Sequence, residues 1–248
     1  MPLRDIVRSA LSSSARVGFG RFVSPRFGLW EATEQGEMAI GERQRTPTAF
    51  LVAGQDGKTP RVLGWFPGWE LFRIEQNVGR WAFFSRRALA VAGGSPPRVY
   101  IGDSDRFEFN VYDLSGNLVQ IIRDAIPQNP IRDGDLEWER WELLNWAKSF
   151  GDLERWQRFA DEMPLPKEKP AFEDLIVDSE GFLWVKEYSS YRPDLVQYRI
   201  YSPDGDRAGT VELPGRFRVF DVGPDYVLGV AYDVDYVETI QMYSLKRG

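Results

Sequence analysis

Two stretches of this sequence lie over one another: VYIGDSDRFEFNVYDLSGNLVQIIR, from Val99, and LWVKEYSSYRPDLVQYRIYSPDGDRAGTVEL, from Leu183. Each reads as strand, polar loop, strand, tight turn, strand. The turns run from Asp113 to Gly116 and from Ser202 to Gly205, next to β-favouring Val-Tyr and Ile-Tyr pairs. Both supply the glycine that a hairpin turn needs at positive φ. A repeat of this kind sets the fold class before any single element is assigned.

Gly116 and Gly205 are 89 positions apart, about twice the roughly 40–50 residues of one propeller blade. The excess is an insertion. Upstream of the second stretch, DLIVDSEGFLWV gives an innermost strand, a turn from Asp178 to Gly181 and the next strand, and RVFDVGPDYVLGVAYD repeats that shape. From Trp184 to Leu228 the interval is 44 residues, close to one blade. A more degenerate copy lies in FGLWEATEQGEMAIGER and TAFLVAGQDGKTPRVLGWFPG, with a turn at Gln55 to Gly57. The expected fold is therefore all-β: a β-propeller of four-stranded antiparallel blades, about four of them, the last without an obvious outer strand. A chain of 248 residues buries a sizeable core without disulfides or metal, and residues 1–248 are read as one domain.

Residues 135–163, DLEWERWELLNWAKSFGDLERWQRFADEM, break the pattern. They hold good helix formers and almost no β-branched residues, with Asp135 and Asp152 placed as N-caps, Gly151 to end a first helix and Pro164 to end a second. The segment is predicted to be a helical hairpin inserted between blades. Its aromatics, Trp138, Trp141, Trp146, Phe150, Trp156 and Phe159, are expected to pack it onto the sheets rather than to face a ligand. Burial is likewise expected for Trp65 and Trp184, at strand positions.

Composition narrows the chemistry. The sequence has neither histidine nor cysteine, which excludes serine triads, imidazole acid/base catalysis, thiol nucleophiles and thiolate or His-ligated metal sites. Catalysis would have to run on Asp, Glu, Lys, Tyr or Arg. The formal charge is −6 and no run of Lys and Arg lacks interleaved acids, so nucleic acid is discounted as a partner. Residues 1–20 hold Arg4, Asp5, Arg8 and Arg16 and no apolar stretch of the kind a signal peptide requires, and no segment reaches the length of a membrane span.

From Pro170 onward, PAFEDLIVDSEGFLWVKEY and IYSPDGDRAGTVELPGRFRVFDVGPDYVLGVAYD resemble the C-terminal blades of bacterial six-bladed β-propeller proteins of the NHL-repeat and TolB-like grouping. VYIGDSDRFEFNVYDLSGNLVQIIR resembles the blade that precedes their helical insertion, and the likeness covers roughly residues 45 to 246. It implies a six-bladed pattern of which this chain lacks the first blade or two, and a periplasmic or exported location although no leader is read in the chain. An open arc would expose apolar end faces and self-associate. The resemblance implies no particular chemistry, since propellers host many functions.

In a four-stranded meander, the turns between strands two and three share one face with the connections between blades. That face receives Asp103, Asp105 and Arg106, then Glu187 and Arg192, then Asp233 and Asp235, together with the helical insertion. These seven residues are the candidate ligand-binding set. The competing reading is that short polar side chains satisfy local backbone groups. Calcium ligation is a third reading, without EF-hand spacing to support it; no cofactor or metal ligand is assigned. The favoured function is a binding or interaction scaffold for a small molecule or protein. The alternative is a calcium-dependent, lactonase-like hydrolase or a lyase using carboxylates at the propeller mouth.

Overall fold

A computed structural model describes residues 15–17, 21–24, 27–34, 38–54, 60–76, 78–127, 129–189 and 193–247. The protein is mostly β, in four antiparallel sheets. The first contains β1 (Ala15–Val17), β2 (Arg21–Ser24), β3 (Phe27–Glu34), β4 (Arg43–Gly54), β5 (Arg61–Glu75) and β6 (Val78–Trp81), ordered β1-β3-β4-β5-β6 with β2 also beside β3. The second is a meander of β7 (Ala88–Gly93), β8 (Arg98–Asp103), β9 (Glu108–Tyr112) and β10 (Leu118–Arg123). The third repeats it with β11 (Phe172–Val177), β12 (Leu183–Glu187), β13 (Leu195–Tyr201) and β14 (Arg207–Pro214). The fourth has three strands, β15 (Phe217–Val222), β16 (Tyr226–Tyr232) and β17 (Glu238–Ser244).

Strand alternation buries one face of each sheet against the next. Leu29, Phe50, Val52 and Leu63 of the first sheet meet Ala88, Val99 and Ile101 of the second. Val91, Tyr100, Phe109 and Val111 meet Phe172, Leu175, Val185 and Tyr201 of the third. Trp184, Val196 and Tyr198 meet Phe217, Val219 and Val227 of the fourth. Trp184 is fully buried, as its strand position predicts. Trp65 is not. It pairs with Ala49, on the face of the first sheet turned away from the second, and is 46% exposed.

The hairpin turns share one device. The side chain of Asp113 accepts a hydrogen bond from the amide of Asn117, that of Asp178 from Phe182, that of Ser202 from Asp206 and that of Asp233 from Val237. Each turn also needs a residue at positive φ three positions after the acceptor. Gly116, Gly181 and Gly205 supply it at φ 86°, 88° and 90°. In the fourth turn Tyr236 stands there at φ 61°, where a side chain costs about 1–2 kcal/mol. Tyr236→Gly is therefore expected to stabilise the protein by about 1 kcal/mol, raising Tm by about 2–4 °C in a thermal melt. The turn from Gln55 to Gly57 lies outside the described residues.

The insertion between β10 and β11 is helical as expected: α1 (Asp133–Lys148) and α2 (Leu153–Glu162). Asp135 is not the N-cap. The cap is Arg132, and Asp135 is the third helical residue, whose carboxylate accepts the Arg132 amide at 2.9 Å. The acidic side chain expected before the helix thus belongs to the reciprocal half of a capping arrangement, one turn in. Asp152 does sit at the N-cap of α2 but makes no cap hydrogen bond through its side chain. Leu143, Phe159, Ala160 and Met163 pack the hairpin onto Phe72, Ile74 and the linker residues Ala82, Phe83 and Phe84. Trp141 and Phe150 stay outside at 54% and 65% exposure.

Candidate functional site

Asp103 and Glu187 end the second strands of their sheets, β8 and β12, while Asp105, Arg106, Asp233 and Asp235 lie in the loops that follow second strands; Arg192 lies outside the described residues. They do not form one cluster, because nearby groups take up several of them. Arg45 of β4 reaches across to the second sheet and grips Asp103 with two hydrogen bonds of 2.8 and 2.9 Å, while also donating to the carbonyls of Pro67 and Gly68. Arg86 pairs with Asp105 at 2.8 Å. Glu187 pairs with Arg199 of the adjacent strand, and burial still pushes its carboxyl above the ordinary range. Asp233 closes its own turn, and its carbonyl accepts from Arg216. Arg106 is exposed beside Glu108, and Asp235 is exposed.

The Asp103 and Asp105 carboxylates thus tie the first sheet and its linker to the second. Changing both to Ala is expected to cost about 2 kcal/mol in urea denaturation, because Arg45 and Arg86 lose part-buried partners. Fully exposed loop carboxylates would cost no more than about 0.5 kcal/mol.

The concave ground on this face lies elsewhere. A pocket of about 230 Å³ opens beneath the helical hairpin, lined by Trp69, Arg80, Trp81, Phe83, Phe84, Ser85, Glu139, Glu142, Leu143 and Tyr188. Its construction follows from three elements. The long β5 and its hairpin partner β6 carry Trp69 and Trp81, which stack at 4.7 Å with planes 16° apart. Helix α1 presents Glu139 and Glu142 from one face. The end of β12 supplies Tyr188, whose hydroxyl donates to Glu139 at 3.1 Å.

The floor is strained. Phe84 is buried at φ 52°, a region that bulky side chains rarely occupy. Its neighbours hold it there: Arg43 donates to the Phe83 carbonyl, the Phe83 amide donates to the Met163 sulfur, and Glu70 accepts the Arg86 amide. Strain that surrounding contacts over-determine gathers at ligand sites.

Glu139 is the most perturbed carboxyl of the site. Burial, together with the charges of Glu142 and Asp135, raises it from 4.5 to about 7, against the opposing pull of the Tyr188 hydrogen bond and Arg80. The Tyr188 phenol is driven upward by burial and by Glu139. Nothing in the sequence singled out Glu139; the aromatic richness of the insertion was the only signal nearby.

Two other concavities border the same face. A more open groove of about 620 Å³ shares Arg80 and Trp81 and adds Trp146, Arg155 and Trp156. A cleft of about 370 Å³ between the third and fourth sheets is lined by Lys186, Arg216, Arg218, Tyr232, Asp233 and Tyr236, among others. Among the described residues, no group of three or more Asp or Glu side chains is gathered so as to hold a metal ion. Nor is any helix among them long and apolar enough to cross a membrane.

No protein-family model matches the chain, and no curated protein matches it. Among solved structures, one described as "Crystal structure of the eukaryotic initiation factor" aligns over 92% of this chain at 9% identity and a TM-score of 0.34. The chain spans about half the length of that structure, 52%. A likeness so slight defines neither fold nor function.

Proposed function

We propose that the chain is a binding module of β-propeller type, its four sheets being blades of a six-bladed NHL-repeat or TolB-like pattern, and that it takes its ligand in the pocket beneath the helical hairpin. Successive sheets packed face to face, the second, third and fourth of them meanders, are what such blades would look like. The observation that carries the site is Glu139: a carboxyl desolvated against stacked tryptophans, facing open space rather than a salt-bridge partner. Burying such a group without use would be a cost with no return.

Thermal shift and tryptophan fluorescence against a mixed panel of small molecules, with calcium and chelator as separate arms, test the reading. A ligand at a hundredfold excess over its Kd should stabilise the protein by about 2.7 kcal/mol, and Trp81→Ala should abolish that gain. A ligand whose effect survives both Trp81→Ala and Glu142→Gln binds elsewhere, and the pocket reading falls. Stabilisation by calcium, reversed by chelator and lost in Glu142→Gln, would instead favour a metal-dependent hydrolase.

A further inference from the structure

The walls of the pocket differ in what they offer. Trp69 and Trp81 form an aromatic wall, and Arg87 already lies 4.0 Å over the Trp69 ring, so this wall accepts positive charge on an indole face. Opposite stand Glu139 and Glu142, with Arg80 as the guanidinium lining the space. The Arg80 guanidinium lies 3.9 Å over the Trp146 ring and within electrostatic reach of both carboxyls. Asp135, one turn before Glu139 on the helix, is taken by Lys169 at 2.9 Å. Two carboxyls therefore face one guanidinium, and the ionised lining is net negative. The volume of about 230 Å³ falls short of the roughly 300–1,000 Å³ of pockets for drug-sized ligands. It suits a single head group.

Building on the pocket reading above, we infer that this site takes an organic cation: a primary ammonium seated between Glu139 and Glu142, with its alkyl stem along Trp81. Tyr188 donates to Oε1 of Glu139, so the other oxygen can accept an N⁺–H. An aromatic wall with a carboxylate opposite binds alkylammonium better than it binds an inorganic cation, because the stem gains apolar contact while the head gains charge. Seating the cation costs Glu139 its proton, which leaves to solvent.

The same chemistry can come from a free amine or from a lysine side chain, so two probes are titrated by tryptophan fluorescence: n-butylammonium and Nα-acetyl-lysine amide. Affinity should rise about tenfold from pH 6 to pH 8, as Glu139 passes from mostly protonated to mostly ionised around pH 7. Glu139→Gln and Trp81→Ala should each weaken binding about tenfold or more. Both variants should retain the parent's far-ultraviolet circular dichroism and a cooperative urea transition, which separates a lost site from a lost fold. Tighter binding of the lysine amide identifies a side chain as the source, and tighter binding of butylammonium a free amine; both uphold the inference. If n-butanol or butyrate binds as well as butylammonium and Trp81→Ala abolishes it, the pocket stands and the cation falls. If ammonium binding ignores both substitutions, or neither amine binds saturably while a panel ligand remains sensitive to Trp81→Ala, the inference is overturned as well.

Discussion

Lys169→Met is expected to destabilise the protein by about 3–5 kcal/mol. The ammonium of Lys169 meets Asp135 at 2.9 Å, with the two side chains only 9% and 7% exposed. Methionine matches the lysine stem in bulk, so packing survives and the cost isolates the charge: Asp135 keeps its buried place at the start of α1 without the Lys169 ammonium. The pair also sits where the insertion joins the sheets, since the Lys169 amide donates to the Asn129 carbonyl and Pro130 bridges Glu168. The hairpin should therefore loosen first, losing amide protection in hydrogen exchange before the β-sheets do. Asp135→Asn combined with Lys169→Met should recover most of the loss, because the amide oxygen still accepts from Arg132 and no charge is stranded. A single-variant cost under about 1 kcal/mol, unrelieved in the double variant, would mean that water reaches the pair.

The turns were the most legible part of the sequence, and the reason is local. Asp113, Asp178 and Ser202 bond to an amide four residues on, and a glycine one residue before that amide takes the positive φ, so the whole device lies within five consecutive positions. The helical insertion was legible for the same reason, through propensity and punctuation, with an error of two residues at its start. The fourth turn shows the limit. Asp233 keeps the device but Tyr236 replaces the glycine, and a tyrosine, unlike a glycine, does not signal in a sequence the φ of 61° that it adopts here.

The site was legible only as a face. Strand direction alone placed Asp103, Glu187 and Asp233 at the same end of successive sheets, where the second strand closes or has just closed in each. The sequence could not foretell that Arg45, 58 positions before Asp103, would take up that carboxylate, because the pairing depends on how two sheets dock. The pocket has the same character. Trp81, Glu139 and Tyr188 come together from a strand, an inserted helix and a later strand end, and no spacing rule links them.

Glu139 also makes stability depend on pH in a direction opposite to that of most carboxylates. Its carboxyl titrates near 7 in the folded protein and near 4.5 when unfolded, so the folded state holds its proton over that interval and the unfolded state does not. Stability from this group is fully present below about pH 4.5 and is lost as pH rises through about 7. At about 1.4 kcal/mol per pH unit, the interval bounds the effect at about 3 kcal/mol. The groups around it fix the sign: Glu142 and Asp135 repel the charge, Tyr188 and Arg80 favour it, and burial outweighs them all. Glu139→Gln removes the titration while its amide oxygen still accepts from Tyr188. Urea denaturation of parent and variant at pH 5 and pH 8 should therefore show near-equal stability at the lower pH and a variant more stable by about 2–3 kcal/mol at the higher. Parallel curves at both values would show that Glu139 is solvated and ionised in the folded protein. A saturating amine should narrow the gap at pH 8 by stabilising the parent more than the variant, so the same two proteins report on the charge and on the ligand that would neutralise it.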